Sequence, residues 1–214
     1  MMELEFSTLI SYVIVVLGLF LLPGPAVMLT ITRTVQSGRK GGIMAGLGIA
    51  TGDFVHTLFA AVGLSAILMS SAFAFNIVKY AGAAYLLYLG VREIIRKPAG
   101  WQLPKVESAG VVKSYLSATI AEVLNPKTAL FFLAFLPQFL NPERGETVVQ
   151  LLILGFIFVL LSVLYTTAIA FSLSAFGKVV RRTAWIGRLN RLSGKFAGMI
   201  YIGLGIKVAF QRQQ

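Results

Sequence analysis

Six apolar stretches follow one another along this chain, at about 6–32, 42–69, 73–95, 114–140, 147–176 and 194–211. Each approaches or exceeds the ~20 residues a helix needs to cross a hydrocarbon core. Lipid offers no partner to backbone N–H and C=O groups, so such stretches must satisfy them internally, as helices do. The expectation is an all-α membrane protein of six transmembrane helices, a single domain over residues 1–214 with no soluble domain between the spans. Composition agrees: 57% of residues are hydrophobic and 13% charged, where a soluble domain carries about a quarter charged residues to cover its surface. The first residues, Met1 to Glu5, are acidic and lack the basic region of a secretory signal, so the first stretch reads as permanent.

The net charge of +11 does not point to nucleic acid, because the basic residues sit at the ends of apolar segments without an aromatic-basic surface. Their placement instead sets orientation. Arg33, Arg39 and Lys40 follow the first span; Arg92, Arg96, Lys97, Lys105 and Lys113 follow the third. Lys178, Arg181, Arg182, Arg188, Arg191 and Lys195 follow the fifth. The opposite side holds only Lys79, Arg144, Lys207 and Arg212. Basic loops stay in the cytoplasm, which directs both termini away from it. With no cysteine, disulfides, thiolate metal sites and thiol catalysis are excluded.

The third span carries Lys79-Tyr80-Ala81-Gly82, then Tyr85, then Leu89-Gly90. The sixth carries Lys195-Phe196-Ala197-Gly198, then Tyr201, then Leu204-Gly205. One single-residue gap aligns them, which reads as an internal repeat. An odd number of spans per copy inverts the second relative to the first, giving two oppositely oriented three-helix halves, about 6–95 and about 114–211, joined by a basic loop at about 96–113. Inverted repeats with interrupted helices recur in secondary transporters, with substrate bound near the midplane at the breaks. Gly42-x-x-x-Gly46, Gly48-x-x-x-Gly52 and Gly194-x-x-x-Gly198 are spaced for close helix packing.

Both first spans of the proposed halves are broken by proline, at Pro23-Gly24-Pro25 and at Asn125-Pro126-Lys127. Proline removes a backbone donor and clashes with the preceding turn. Asn125 is a good N-cap and Pro126 suits the first helical position, so a new half-helix starts there; Gly24-Pro25 offers the same order with a weaker cap. Half-helix N-termini inside the membrane attract carboxylates. Pro23, Gly24, Pro25, Asn125, Pro126 and Lys127 are therefore the expected substrate-binding set, with Lys127 assisting a carboxylate.

Asp53 and Glu122 lie inside the second and fourth spans, where a carboxylate costs ~3 kcal/mol without a partner, water or a proton. Asp53 shares a helix face with His56, and Glu122 shares one with Asn125. Three roles stay open for Asp53, Glu122 and His56: a structural pairing with Lys127, binding of a substrate ammonium, or carriage of a coupling proton. His56 is the only histidine and no further soft ligand exists, so neither a metal nor another cofactor is expected. Phe54, Tyr85 and Phe131 are aromatic candidates for a pocket wall, with lipid-facing packing as the alternative.

The residues Leu22-Pro23-Gly24-Pro25, Gly46 through Gly52-Asp53 with His56, Lys79 through Leu86, and Asn125-Pro126-Lys127-Thr128-Ala129-Leu130-Phe131-Phe132 through Pro137-Gln138-Phe139 resemble the LysE-type exporters. That family includes lysine, homoserine/threonine and leucine efflux permeases. The resemblance spans nearly the whole chain. It implies a transporter in a bacterial cytoplasmic membrane that exports amino acids, neutral or basic, by proton antiport, with amino acid, protons and lipid as partners and a homo-oligomer as an option. A metal-cation exporter of similar architecture and a non-transport membrane scaffold are the rival classes. An enzyme is not expected, since no H-E-x-x-H pair or comparable catalytic set occurs.

Overall fold

A computed structural model describes residues 5–21, 24–64, 72–95, 110–141 and 146–180, with single positions between 195 and 210. Pro23, Gly194 and most of the basic loops after the third and fifth spans lie outside the described residues. The described residues are helical throughout, without a strand: α1 Phe6–Phe20, α2 Pro25–Phe59, α3 Ala72–Ile95, α4 Val111–Val123, α5 Pro126–Leu130 and α6 Thr147–Val180. α2 runs on into a π-helical turn at Ala60–Leu64, and α5 into wide and tight turns over Phe131–Phe135 and Leu136–Phe139.

α2 is not one rod. With its π turn it covers 40 residues, which as a straight helix would reach ~60 Å, twice a hydrocarbon core. Gly38, at φ 68° and ψ −170°, holds a conformation open essentially to glycine alone. Across it the chain doubles back. A Cβ placed on Gly42 would lie 3.1 Å from the Cβ of Thr34, although residues eight apart on a straight helix are separated by ~12 Å. Residues 25–37 (α2a) and 39–59 (α2b) therefore form a tight helical hairpin. The sequence reading ended the first span near 32 and allowed a loop to 41; the structure needs one residue to turn. Arg33, assigned to that loop, sits in α2a with 3% exposure and donates from Nη2 to the Ser117 hydroxyl at 3.2 Å.

Glycines set the other neighbours of α2b. Gly42 faces Ala170, Gly46 faces Thr166, and Gly155 faces Thr57. As one number rises the other falls, so α2b and α6 are antiparallel. Gly48 meets Ala118 and Gly52 meets Glu122, with both numbers rising, so α2b and α4 are parallel. The small-residue spacing expected to bring helices close does so on both faces. Gly90 lies against the Gly198 carbonyl and Gly205 against that of Ala83, which makes α3 antiparallel to the last helical stretch.

Polarity is arranged inside out. Phe6, Ile10, Ile14, Leu17 and Leu21 form an exposed stripe along α1, and Phe156, Leu160 and Leu164 one along α6. Thr30, Asp53, His56, Thr57, Gln150, Ser162 and Thr166 are buried. A lipid-facing surface asks for this pattern. Among the described residues, two helical stretches, Pro25–Leu64 (folded back at Gly38) and Thr147–Ala175, are by length and composition apolar enough to cross a membrane, and a third is obtained if Val111–Val123 and Pro126–Phe139, bent by 44°, count as one span.

The apolar core stands beside the bend. Phe131, Phe132, Phe135 and Phe139 pack with Tyr12, Leu154 and Phe158, and the Tyr12 hydroxyl donates a hydrogen bond to the Leu154 carbonyl at 2.9 Å. Phe131 is thus a core residue, and Phe54 is exposed on the apolar surface. Gln150, in the first turn of α6, bonds both N–H and C=O of Asn141 at 2.8 Å.

Candidate functional site: a polar cavity between two broken helices

The second break is built as its sequence suggests. Asn125 caps α5, its Oδ1 accepting from the Lys127 N–H at 3.1 Å, and Pro126 fills the first turn, where a missing donor costs nothing. The same Asn125 reaches back: its Nδ2 donates to both oxygens of the Glu122 carboxylate, at 3.2 and 3.1 Å. Thr128 donates its hydroxyl to Glu122 Oε1. One acid, 2% exposed, is therefore held from both sides of the break.

The first break lies opposite. Gly24 is extended (φ −91°, ψ 178°) ahead of Pro25 at the start of α2a, and Met28 N–H closes the first turn on the Gly24 carbonyl at 3.0 Å. Lys127 joins the two breaks. Its ammonium donates to the carbonyl of Leu19, in the last turn of α1, at 2.9 Å. A cation in the first turn of its own helix opposes the dipole, but the long side chain carries the charge to the negative C-terminal end of another.

Asp53 arrives on α2b, 1% exposed. Its carboxyl is within hydrogen-bonding reach of the Ser162 hydroxyl and the Glu122 carboxyl. The buried Oδ2 has no hydrogen-bond partner. Two acids face each other, and the charge of each opposes the other unless a positive group sits with them. His56 is placed differently: it does not line the cavity, and its Nε2 lies 2.9 Å from the Glu122 carbonyl oxygen.

Gly24, Asp53, Glu122, Asn125, Lys127 and Thr128 line one cavity of about 40 Å³. Its other wall is mostly apolar: Leu19 and Phe20 from α1, Val27 and Ile49 from α2, and Phe158 with Tyr165 from α6. Phe20 stacks on Tyr165 (5.5 Å, 25°) and meets Phe158 edge-on (5.1 Å, 73°). A water takes about 10–15 Å³ of such space, so the cavity is closed to a size of about three waters.

Of the sequence-derived residues, five line this cavity, Pro25 and Pro126 frame it as helix starts, His56 stands behind it, and Pro23 falls outside the described residues. Sequence reasoning missed Thr128, Tyr165, Thr166 and Ser162. A signal existed for the last three: Ser162, Tyr165 and Thr166 form an i, i+3, i+4 polar patch that interrupts the long apolar run of α6 after Gln150. Among the described residues no group of three His, Cys, Asp or Glu is placed to hold a metal.

The family model for LysE type translocators matches residues 17–212. An uncharacterized membrane protein of Bacillus subtilis, YrhP, is 31% identical over 210 residues, covering 94% of this chain and 97% of that one. The leucine efflux protein of Enterobacter sp. strain 638 is 30% identical over 203 residues, with 93% of each chain covered. That of Salmonella typhimurium is 28% identical over 205 residues, again with 93% of each covered. No solved structure matches the chain.

Proposed function

The chain belongs to the LysE type translocator family, and from that premise we propose that it exports neutral, apolar amino acids from the bacterial cytoplasm in exchange for protons. The observation that carries this reading is the convergence of two helix breaks, two buried acids and one lysine on a single cavity. Relatives named leucine efflux proteins support the substrate class.

The cavity suits a zwitterion. The carboxylate turns to Lys127 and the start of α5, where a cation and a helix N-terminus both favour it. The ammonium turns to Asp53 and Glu122. The side chain rests on Phe20, Val27, Ile49 and Phe158. Asp53, Glu122 and Lys127 sum to a formal charge of −1 when ionised, and a zwitterion leaves that sum unchanged. In the substrate's absence one proton bridges the acid pair and neutralises that sum, and an arriving ammonium takes the proton's place between the acids. Ammonium and proton thus compete for one place, which is the condition for exchange. A basic amino acid would also balance the charge, yet the wall that receives the side chain is mostly apolar.

Six crossings in two inverted halves fit the helix directions: α1 with α2a, α2b with its π turn, α3, α4 with α5, α6, and the stretch ending near 210. α2b runs antiparallel to α6, its counterpart in the other half, and α3 antiparallel to the last stretch; α2b and α4 run parallel, as even-numbered crossings must. The basic loops then face the cytoplasm and both termini the outside. Because the cavity is smaller than an amino acid, transport needs α1 and α5 to part at their breaks. Cells loaded with leucine-containing dipeptides test the reading: expression should speed leucine efflux and protect against toxic leucine analogues. Efflux and protection equal to a vector control would refute it.

A further inference from the structure

The structure assigns His56 the role of a positioning residue, which holds the two acids of the cavity in register through the backbone carbonyl of Glu122. In an unbroken helix that carbonyl would accept from the N–H four residues on, and residue 126 is a proline without one. The break therefore removes the usual helical donor to a carbonyl deep in the protein, and another helix supplies a second donor beside the local one. His56 Nε2 stands 2.9 Å away, beside the Asn125 N–H, which donates to the same oxygen at 3.0 Å. A carbonyl oxygen carries no proton, so Nε2 must carry one and donate it.

The ring is fixed in other ways. It is 6% exposed and stacks on Phe132 at 5.9 Å and 28°. It does not line the cavity, which separates it from substrate. His56 also follows Asp53 by three residues on one face of α2b. The bond thus ties the backbone of Glu122 to the helix that carries Asp53, at the point where α4 loses its own ladder. If the Glu122 carbonyl swings, its carboxylate leaves Asn125 and Thr128, and the distance between the acids changes. The histidine acts on transport through these partners.

The role rests on the exporter reading only for its transport measurement, so a second measurement needs no activity. His56 is the only histidine, and uniform ¹⁵N-histidine labelling gives one imidazole. The spectrum of the neutral ring should show the Nε2–H tautomer. The Nδ1–H tautomer would overturn the assignment. In vesicles driven by a proton gradient, His56→Gln keeps a donor at about the same reach and should export leucine within about threefold of wild type, still gradient-dependent. His56→Leu leaves a buried carbonyl short of a donor and should lose about tenfold, chiefly as a raised KM. Equal loss in both variants with gradient dependence abolished would make His56 a proton carrier, and no loss in either would make it dispensable; both outcomes reject the positioning role. Wild-type vesicles that move no amino acid would count against the exporter reading, while the tautomer would still decide the role of His56.

Discussion

Replacing Lys127 by methionine removes the charge and keeps most of the side chain's length and apolar stem. The ammonium donates a charge-assisted hydrogen bond, 2.9 Å, to the Leu19 carbonyl, and such bonds contribute about 1.5–3 kcal/mol. In the proposed cycle the same group turns to the substrate's carboxylate, so its loss should cost a similar amount in that complex. At 1.4 kcal/mol per decade, this is about a 10- to 150-fold loss of transport at low substrate. Insertion should not suffer, because a lysine at mid-span costs ~2.5–3.5 kcal/mol on insertion scales and methionine does not. Export read as leucine uptake into everted vesicles, normalised to protein in the membrane, reports both quantities. Lys127→Met should be at least tenfold slower at equal or higher membrane levels, and Lys127→Arg should fall between it and wild type. Efflux within twofold of wild type in the methionine variant would refute the assignment of Lys127 to the carboxylate.

Asp53→Asn removes one of two facing acids and should uncouple transport: leucine counterflow persists, while a proton gradient no longer drives accumulation. Gradient-driven uptake at wild-type rate would exclude Asp53 as the sole proton carrier. Gly38→Ala adds a methyl group with nothing within 4 Å, so its cost of about 1–3 kcal/mol comes from backbone strain alone and should appear as a lower Tm in detergent. Gly52→Val is different in kind: a Cβ there would lie 2.6 Å from the Glu122 Cβ and 3.1 Å from the Val123 backbone nitrogen. Overpacking of this sort costs about 1–3 kcal/mol, and the variant should lose transport more than Gly38→Ala at equal loss of Tm.

Much of the site was legible along the chain because proline, asparagine and acid act locally. Asn125 caps and Pro126 starts a helix wherever they occur in that order, and an acid in an apolar run needs company whatever the fold. The Gly38 turn was not legible, because averaging hydropathy over a span hides a reversal made by one residue. Arg33 looked like a loop cation for the same reason; its burial depends on which face of α2a meets Ser117, a three-dimensional fact. His56 was grouped with Asp53 by helix spacing, and only the position of α4 reveals that its partner is a carbonyl left by Pro126. The polar patch of α6 could have been found by asking which face of an apolar helix carries Ser162, Tyr165 and Thr166.

Transport through the cavity between the broken helices is the central claim, and the absence of cysteine allows it to be probed at a single atom. Thr166, at 3% exposure, lines that cavity, so Thr166→Cys in an otherwise unchanged protein places one thiol there. A small thiol reagent should label it in membranes that transport, and saturating leucine should slow the labelling several-fold, with little protection by an amino acid that is not exported. Labelling at the same rate with and without leucine, in protein that exports leucine, would contradict the account.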